Sequence, residues 1–293
     1  MTDKLQTHSA CKQTNTVEQL LSTATEQLLE TSQSARLDAE ILMAFCLNKS
    51  RTWLRTWPEH LCEYSAISDF KQSIKQRELG LPVAYLTGQR EFWTHIFQVS
   101  KDVLIPRPET ELLVEHCLQM IAPEQPQFIL ELGTGSGAIA VSIAAERPRA
   151  QIIATDISQP ALEMAQINAD AAGISNIQFQ QSNWFSSIAN QRYDFIISNP
   201  PYIEQNDLHL QQGDVRFEPR LALISGIDGL RDIRIIAQQA HNYLAANAFL
   251  ALEHGYNQSH AVARILSNNN YTNINNYCDL QGNPRITVAQ HIH

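Results

Sequence analysis

The chain carries no surplus of basic residues: 21 Lys and Arg stand against 30 Asp and Glu, a formal charge of −9. Residues 1–90 hold ten of each sign, so the whole acidic excess falls in residues 91–293. Binding to DNA or RNA by phosphate neutralisation needs a basic footprint, and this balance argues against it. Cysteine is scarce as well. Cys11, Cys46, Cys62, Cys117 and Cys278 are odd in number and widely spaced, without a C-x-x-C pair. That excludes a disulfide framework and points away from a zinc or dithiol site, toward free thiols in a reducing cytosol. Long apolar runs are missing too: Ala138 to Ala145 is far too short to span a bilayer. The amino terminus, MTDKLQTHSACKQTN, lacks the basic and then apolar layout of a signal peptide. The expectation is a soluble, cytoplasmic protein without membrane association. No repeat or low-complexity segment occurs. His241, His254 and His260 have no ligand spacing, and His291-Ile292-His293 reads either as a frayed tail or as a metal site.

What is present is ordinary globular composition, 44% hydrophobic and 17% charged over 293 residues, enough chain for a real core. Three helical patterns open it. Thr16 and Gln19 form a capping box ahead of Val17, Leu20, Leu21, Ala24 and Leu28. Residues 35–47 place Leu37, Ile41, Leu42 and Phe45 on one stripe, and a third helix from about Ser65 buries Ile67, Phe70 and Ile74 before Gly80 and Pro82. Trp53 and Trp57 read as core or interface. Residues 91–105 predict two short strands around a turn near Lys101. The organisation expected is a helical domain over 1–85, a β-hairpin linker over 86–105 and a larger α/β domain over 106–293.

In that larger part strand and helix patterns alternate. Strands are expected at 128–132, 151–155, 177–181, 193–198, 249–253, 272–278 and 285–289, with helices at 137–146, 160–172, 229–246 and 259–267. Such alternation means βαβ units and a mostly parallel sheet covered on both faces. Glu131-Leu132-Gly133-Thr134-Gly135-Ser136-Gly137-Ala138 follows the first of these strands and opens a helix. Glycines there permit a tight turn and close backbone approach to a ligand at the carboxyl end of the strand. Asp156, ending the second strand, suits a ribose hydroxyl of either a nicotinamide or a sulfonium nucleoside. Asn199-Pro200-Pro201-Tyr202 at the end of a later strand decides between them. A planar, conjugated nitrogen is a poor nucleophile, and methylating it requires both its hydrogens to be held by fixed acceptors. The Asn199 side-chain oxygen and the Pro200 carbonyl supply two acceptors, Pro201 lacks a competing donor, and Tyr202 supplies a ring for the planar group.

With these motifs in order, the chain resembles the class I S-adenosylmethionine-dependent methyltransferases, with a Rossmann-like sheet whose last strand is antiparallel. More narrowly it is similar to the glutamine N5-methyltransferases of peptide chain release factors, the PrmC/HemK family. Three further stretches carry that resemblance: Ile105-Pro106-Arg107-Pro108-Glu109-Thr110-Glu111, Glu218-Pro219-Arg220-Leu221-Ala222-Leu223 with Gly226 and Asp228-Gly229-Leu230, and Asp279-Leu280-Gln281-Gly282-Asn283-Pro284-Arg285. The resemblance implies that Gly133, Thr134, Gly135, Ser136 and Gly137 surround the methionine part of S-adenosylmethionine, Asp156 meets its ribose and Trp184 packs beside its adenine. It implies that Asn199 to Tyr202 hold the substrate glutamine, with Asn199, Pro200 and Tyr202 catalytic and Asn199 also beside the cofactor. It makes the helical part a substrate-recognition domain, class I release factors the partners, and the enzyme a monomer that needs no metal and binds no nucleic acid. Glu131 and Asn183 stand where the family often has Asp and an acid. Arg107 and Glu109 either bind substrate or cap the helix starting near Pro108. The alternatives are a ribosomal-protein glutamine methyltransferase, a DNA adenine methyltransferase, for which the acidic catalytic part and the short stretch after Tyr202 are unfavourable, and a nicotinamide-binding oxidoreductase or a non-catalytic nucleotide-binding module, either of which leaves Asn199 to Tyr202 unexplained.

Overall fold

The computed structural model describes residues 15–292, and the expectation for Cys11 lies outside them. The chain divides into two compact units, one ending at Thr87 and the other beginning at Gly88.

The first unit is helical: α1 (Val17–Leu28), α2 (Ala35–Leu47), α3 (Arg51–Thr56), α4 (Tyr64–Glu78) and α5 (Val83–Thr87). The capping box at α1 forms in both directions, Gln19 N donating to Thr16 Oγ1 and Thr16 N to Gln19 Oε1. Ile67, Phe70 and Ile74 of α4 are buried as their spacing requires. The stripe expected on α2 is displaced. Leu37 and Phe45 are exposed, and the buried face is Ala35, Asp38, Ala39, Leu42 and Met43. The reason is a pair of buried acids. Arg77 Nε donates to Asp38 Oδ2 at 2.7 Å, and Ser32 and Ser34 hydroxyls complete that carboxylate. Glu40 takes Arg36, Arg51 and Arg55 together. Arg51, Arg55 and Arg77 come from other helices and cannot be read from a local pattern, and small alanines let the helix approach its neighbours on the rotated face. Trp53 packs against the core and meets His60 edge-on at 4.9 Å, whereas Trp57 is exposed.

The second unit begins with a hairpin, β1 (Gln89–Phe92) and β2 (His95–Gln98). It turns at Trp93, whose φ is 54°, and not near Lys101 as the apolar pattern suggested. Phe92 and Phe97 drop into the core of this unit. A single 3₁₀ turn, Pro108–Thr110, leads into α6 (Glu111–Met120). The alternation follows as β3 (Phe128–Leu132), α7 (Ala138–Glu146), β4 (Gln151–Asp156), α8 (Gln159–Ala171), β5 (Ile177–Gln181), β6 (Tyr193–Ser198), α9 (Arg231–Gln239), β7 (Leu244–Glu253), α10 (Ser259–Asn268), β8 (Tyr271–Cys278) and β9 (Pro284–His291). The helix expected over 229–246 is thus much shorter, because Gly229 sits at φ 69° ahead of it and Leu244 already starts the next strand.

Seven strands form one sheet in the order β5-β4-β3-β6-β7-β9-β8, parallel except that β9 runs against both its neighbours. Successive residues face opposite sides. Ile129, Ile152, Phe195 and Ile197 pack on one face with α6 and α7, and Leu130, Leu132, Ile196 and Leu250 on the other with α9 and α10. His291 is a buried strand residue whose ring lies 5.2 Å from that of His241, so it is not a frayed tail. Cys46, Cys62, Cys117 and Cys278 are free thiols. No helix among the described residues is long and apolar enough to cross a membrane.

Arg77→Ala leaves Asp38 buried without its cation. It is expected to lower the stability of the helical unit by about 3–5 kcal/mol, measured by urea denaturation of the full chain; an unchanged midpoint would refute the role given to this pair.

Candidate active site

The register of the parallel strands sets one row of residues along the carboxyl edge of the sheet. Leu132 of β3 pairs with Thr155 of β4 and Ser198 of β6, and Ser198 pairs with Leu252 of β7. The residues that follow these pairs are therefore neighbours: Asp156, Gly133, Asn199 and Glu253. Ile286 of β9 pairs with Glu253, which brings Arg285 to the same edge. Side-chain bonds lock the ends of the strands. Thr155 Oγ1 donates to the Glu131 carbonyl at 3.0 Å and Ser198 Oγ to the Leu132 carbonyl at 2.7 Å. This edge is where open parallel sheets bind ligands.

The glycine turn is held from both sides. Gly133, Gly135 and Gly137 have φ of 73°, 55° and 82°, the left-handed region that glycine enters at little cost. Thr134 N donates to the Thr155 carbonyl at 2.8 Å, and Gly135 N to Asp156 Oδ2 at 2.9 Å. The Ser136 carbonyl accepts from Asn168 Nδ2. A Cβ at Gly135 would meet nothing within 4 Å, so the turn faces open space, while one at Gly133 would lie 3.7 Å from the Trp184 ring. The structure thus brings Gly133 to Gly137, Asp156 and Trp184 together. Asn183 is exposed, its N–H donating to Ser186 Oγ.

Two buried carboxyls, Glu131 and Glu253, and the half-buried Asp156 lie at this end of the sheet. Burial lifts Glu131 to about 7, while Thr134 Oγ1, donating to its Oε2 at 2.7 Å, pulls more weakly the other way. Its Oε1 is buried without a hydrogen bond among the described residues. Burial also raises Asp156, whose two oxygens already accept from the N–H groups of Gly135 and Ser158. A carboxylate has about four acceptor positions, so Asp156 retains capacity for further donors. Glu253 is likewise lifted to about 7 by burial, against the pull of Thr110, Arg285 and Tyr202.

Asn199 and Pro200 follow β6, with Asn199 half-buried and Pro200 buried. The Asn199 side-chain nitrogen donates to Thr110 Oγ1 at 3.1 Å, which leaves Oδ1 as a free-facing acceptor. The Tyr202 hydroxyl reaches Glu253 Oε1 at 3.5 Å, and burial raises its ionisation well above the ordinary phenol value. The Tyr202 carbonyl accepts from Gln258 Nε2 at 2.9 Å. Gly229 sits against this carbonyl: a Cβ there would fall 2.3 Å from Tyr202 O and 2.8 Å from Gln258 Nε2. Only glycine allows that approach at that φ.

Arg107 lies at the N-cap of the 3₁₀ turn without capping it through its side chain. Instead its guanidinium pairs with the buried carboxylate of Glu218, which burial lifts to about 6 against the pull of that arginine. Glu109, on the same turn, acts electrostatically on Glu253, Tyr202 and Arg285. Sequence reading missed the positions of Thr110, Gly229, Gln258 and Glu253 in the site. For Glu253 a signal existed: a lone acid ending the apolar run of β7, in the same relation to its strand as Asp156 to β4.

Residues 19–88 match the PrmC N-terminal domain and residues 108–216 the methyltransferase small domain. The chain is 44% identical over 263 residues to the release factor glutamine methyltransferase of Escherichia coli (strain K12), spanning 90% of this chain and 95% of that protein. It is 44% identical over 278 residues to that of Vibrio cholerae serotype O1, spanning 94% and 97%. Among solved structures, a methyltransferase from Pyrococcus furiosus aligns with a TM-score of 0.51 at 16% identity, over 67% of this chain and 89% of that one. The ribosomal protein L11 methylase of Lactobacillus delbrueckii subsp. bulgaricus aligns at 0.50 with 17% identity, over 67% and 84%. These two likenesses establish the fold of the sheet.

Gly229→Ala is expected to displace the Tyr202 carbonyl and lower turnover sharply while cofactor affinity, measured by calorimetry, stays near the parent value; full turnover would refute the close approach. Glu131 holds its proton more tightly folded than unfolded. Its contribution to stability is complete below about pH 4.5 and lost as pH rises to about 7. Denaturation of the unliganded chain across that window should show the parent losing up to roughly 3 kcal/mol relative to Glu131→Gln, with no further change above it. Parallel curves for the two proteins would contradict a raised Glu131.

Proposed function

Because the chain belongs to the release factor glutamine methyltransferase family, we propose that its carboxyl-edge site methylates the side-chain amide nitrogen of the glutamine in the Gly-Gly-Gln motif of class I peptide chain release factors. The observation that carries this reading is the adjacency of Asn199 and Gly133 on neighbouring strands, which puts an amide-holding group beside a nucleoside-binding turn. The chain is an S-adenosylmethionine-dependent protein-(glutamine-N5) methyltransferase, and its residues suit that donor. The unsatisfied Glu131 Oε1 offers an acceptor for a cationic ammonium, the open face of Gly135 leaves room for it, and Asp156 and Trp184 are available to a ribose and an adenine. S-Adenosylmethionine, when bound, supplies an electrophilic sulfonium methyl.

The chain's own contribution is positioning and electrostatics. Asn199 Oδ1 and the Pro200 carbonyl accept the two hydrogens of the glutamine amide, turning the face of the nitrogen outward. Pro201 offers no N–H to compete, and the Tyr202 ring lies against the planar amide. As positive charge develops on the nitrogen, the same two fixed acceptors stabilise it, which is the preorganised form of catalysis. The proton then leaves through those acceptors to solvent. The helical unit acts as the substrate-recognition part, and the enzyme works as a monomer without binding nucleic acid. The same reading makes this a cytoplasmic enzyme.

The test is mass spectrometry of a release factor after incubation with enzyme and S-adenosylmethionine, with a ribosomal protein and DNA in parallel. One added methyl on the Gly-Gly-Gln glutamine, and none on the others, is expected. Asn199→Ala should lower that rate by roughly 10²-fold; an undiminished rate would remove Asn199 from the catalytic role.

A further inference from the structure

We infer that Gln258 is a positioning residue for methyl transfer: its side-chain amide bridges the loop after β7 to the Tyr202 carbonyl, and so holds the Asn199 to Tyr202 loop where it grips the substrate amide. The inference rests on the function proposed above. That loop is poorly equipped to brace itself. Pro200 and Pro201 have no N–H groups, and the Pro200 carbonyl and the Tyr202 ring are given over to the substrate. At one end Asn199 is tied through its side chain to Thr110. At the other end the exposed handle is a backbone carbonyl, and only a donor from outside the loop can hold it.

Gln258 supplies that donor. Its Nε2 donates to the Tyr202 carbonyl at 2.9 Å, and its Oε1 accepts from Gly255 N at 2.9 Å. The two ends of an amide are nearly equal in shape, so partners of fixed polarity decide which end points where. Both partners here are backbone groups: a peptide N–H only donates and a carbonyl only accepts. One orientation satisfies both, and the reverse would set oxygen against oxygen and hydrogen against hydrogen. The anchor is itself held still. Gln258 is buried at the N-cap of α10, its own N–H donates to the Gly255 carbonyl, and its carbonyl accepts from Val262 N. The same Gly255 carbonyl accepts from Nδ1 of the buried His254 ring. Gly229 leaves the bridge its room, since a Cβ there would lie 2.8 Å from Nε2 and 2.3 Å from the oxygen that Nε2 meets. The loops after β6 and β7 and the turn before α9 thus converge on one carbonyl, next to the ring that lies against the substrate.

The experiment measures kcat on release factor, at saturating S-adenosylmethionine, for the parent, Gln258→Met and Gln258→Glu from about pH 5.5 to about pH 8.5. Gln258→Met keeps the length and removes the donor. Its kcat is expected to be about tenfold below the parent at every pH, the scale of one lost hydrogen bond, with cofactor affinity by calorimetry unchanged. Gln258→Glu makes the donor depend on a proton. Ionised, the introduced carboxylate still accepts from Gly255 N but sets a charged oxygen against the Tyr202 carbonyl; protonated, it donates to that carbonyl as the amide does. Burial and the facing carbonyl both disfavour the ionised form and raise this carboxyl above the ordinary glutamate value. Its rate relative to the parent is therefore expected to climb about tenfold as pH falls across the range. Asp228, Glu253, His254, His260 and Arg285 on the surrounding segments, and Tyr202 itself, are common to all three proteins and cancel in that ratio. A role in stability alone would lower the melting temperature and leave the kcat of the folded enzyme, with its pH profile, parental. A parental kcat for Gln258→Met, or a Gln258→Glu enzyme no faster than Gln258→Met at the acid end, would overturn the inference. Should Gln258→Glu fail to fold, as judged by its melting temperature, the uncharged Gln258→Met decides by its kcat. A parent enzyme that leaves release factor unmethylated overturns the proposed function instead, and that arm is read first.

Discussion

The arrangement of the site depends on the register of four parallel strands. Once Leu132, Thr155, Ser198 and Leu252 are paired across β4, β3, β6 and β7, the next residue on each strand has no freedom of place. Asp156, the glycine turn, Asn199 and the buried Glu253 then stand in line. A slip by one residue would turn every one of them to the opposite face. The buried hydroxyls of Thr155 and Ser198 oppose such a slip by tying each strand end to its neighbour's carbonyl, in addition to the ladder itself.

The electrostatics of that row have a direction. Burial lifts both Glu131 and Glu253 to about 7, the first on the strand that leads into the glycine turn and the second at the end of β7. An isolated carboxylate in such surroundings resists ionisation until a cation or a donor joins it. Each has one internal donor, Thr134 Oγ1 to Glu131 Oε2 and the Tyr202 hydroxyl to Glu253 Oε1, and each has its other oxygen buried without a hydrogen bond among the described residues. The acid excess of residues 91–293, which in the sequence weighs only against nucleic acid, thus includes side chains with assigned places in the site.

Much of this was legible beforehand, because the signals were local. Strands β3, β5 and β6 stand where the apolar runs put them, and the glycine turn and the Asn199 to Tyr202 loop fall at strand ends as their spacing required. What was not legible depended on distant partners. The face of α2 turns on arginines from two other helices, α3 and α4, so ranking large apolar residues over alanines picks the wrong stripe. The hairpin turn at Trp93 was hidden because a left-handed tryptophan gives no turn signal. Arg107 gave a helix-cap pattern, yet its partner is Glu218, more than a hundred positions later. Gly229 was visible as a residue but not as a necessity, since the carbonyl it approaches belongs to another loop.

The segment after Tyr202 is fastened at both ends. Ile203 N and Gln205 N donate to the carbonyls of Leu223 and Gly226, Ser225 N returns to Ile203, and Glu218 is gripped by Arg107. Between these fastenings the chain makes an excursion over residues 206–217 that includes the exposed Leu208. Such a loop is mechanically separated from its own base, and it can lengthen, shorten or change composition without moving Tyr202. Sequence change within this excursion is therefore absorbed by the excursion itself, because the bonds that fix the backbone next to Tyr202 all lie outside it.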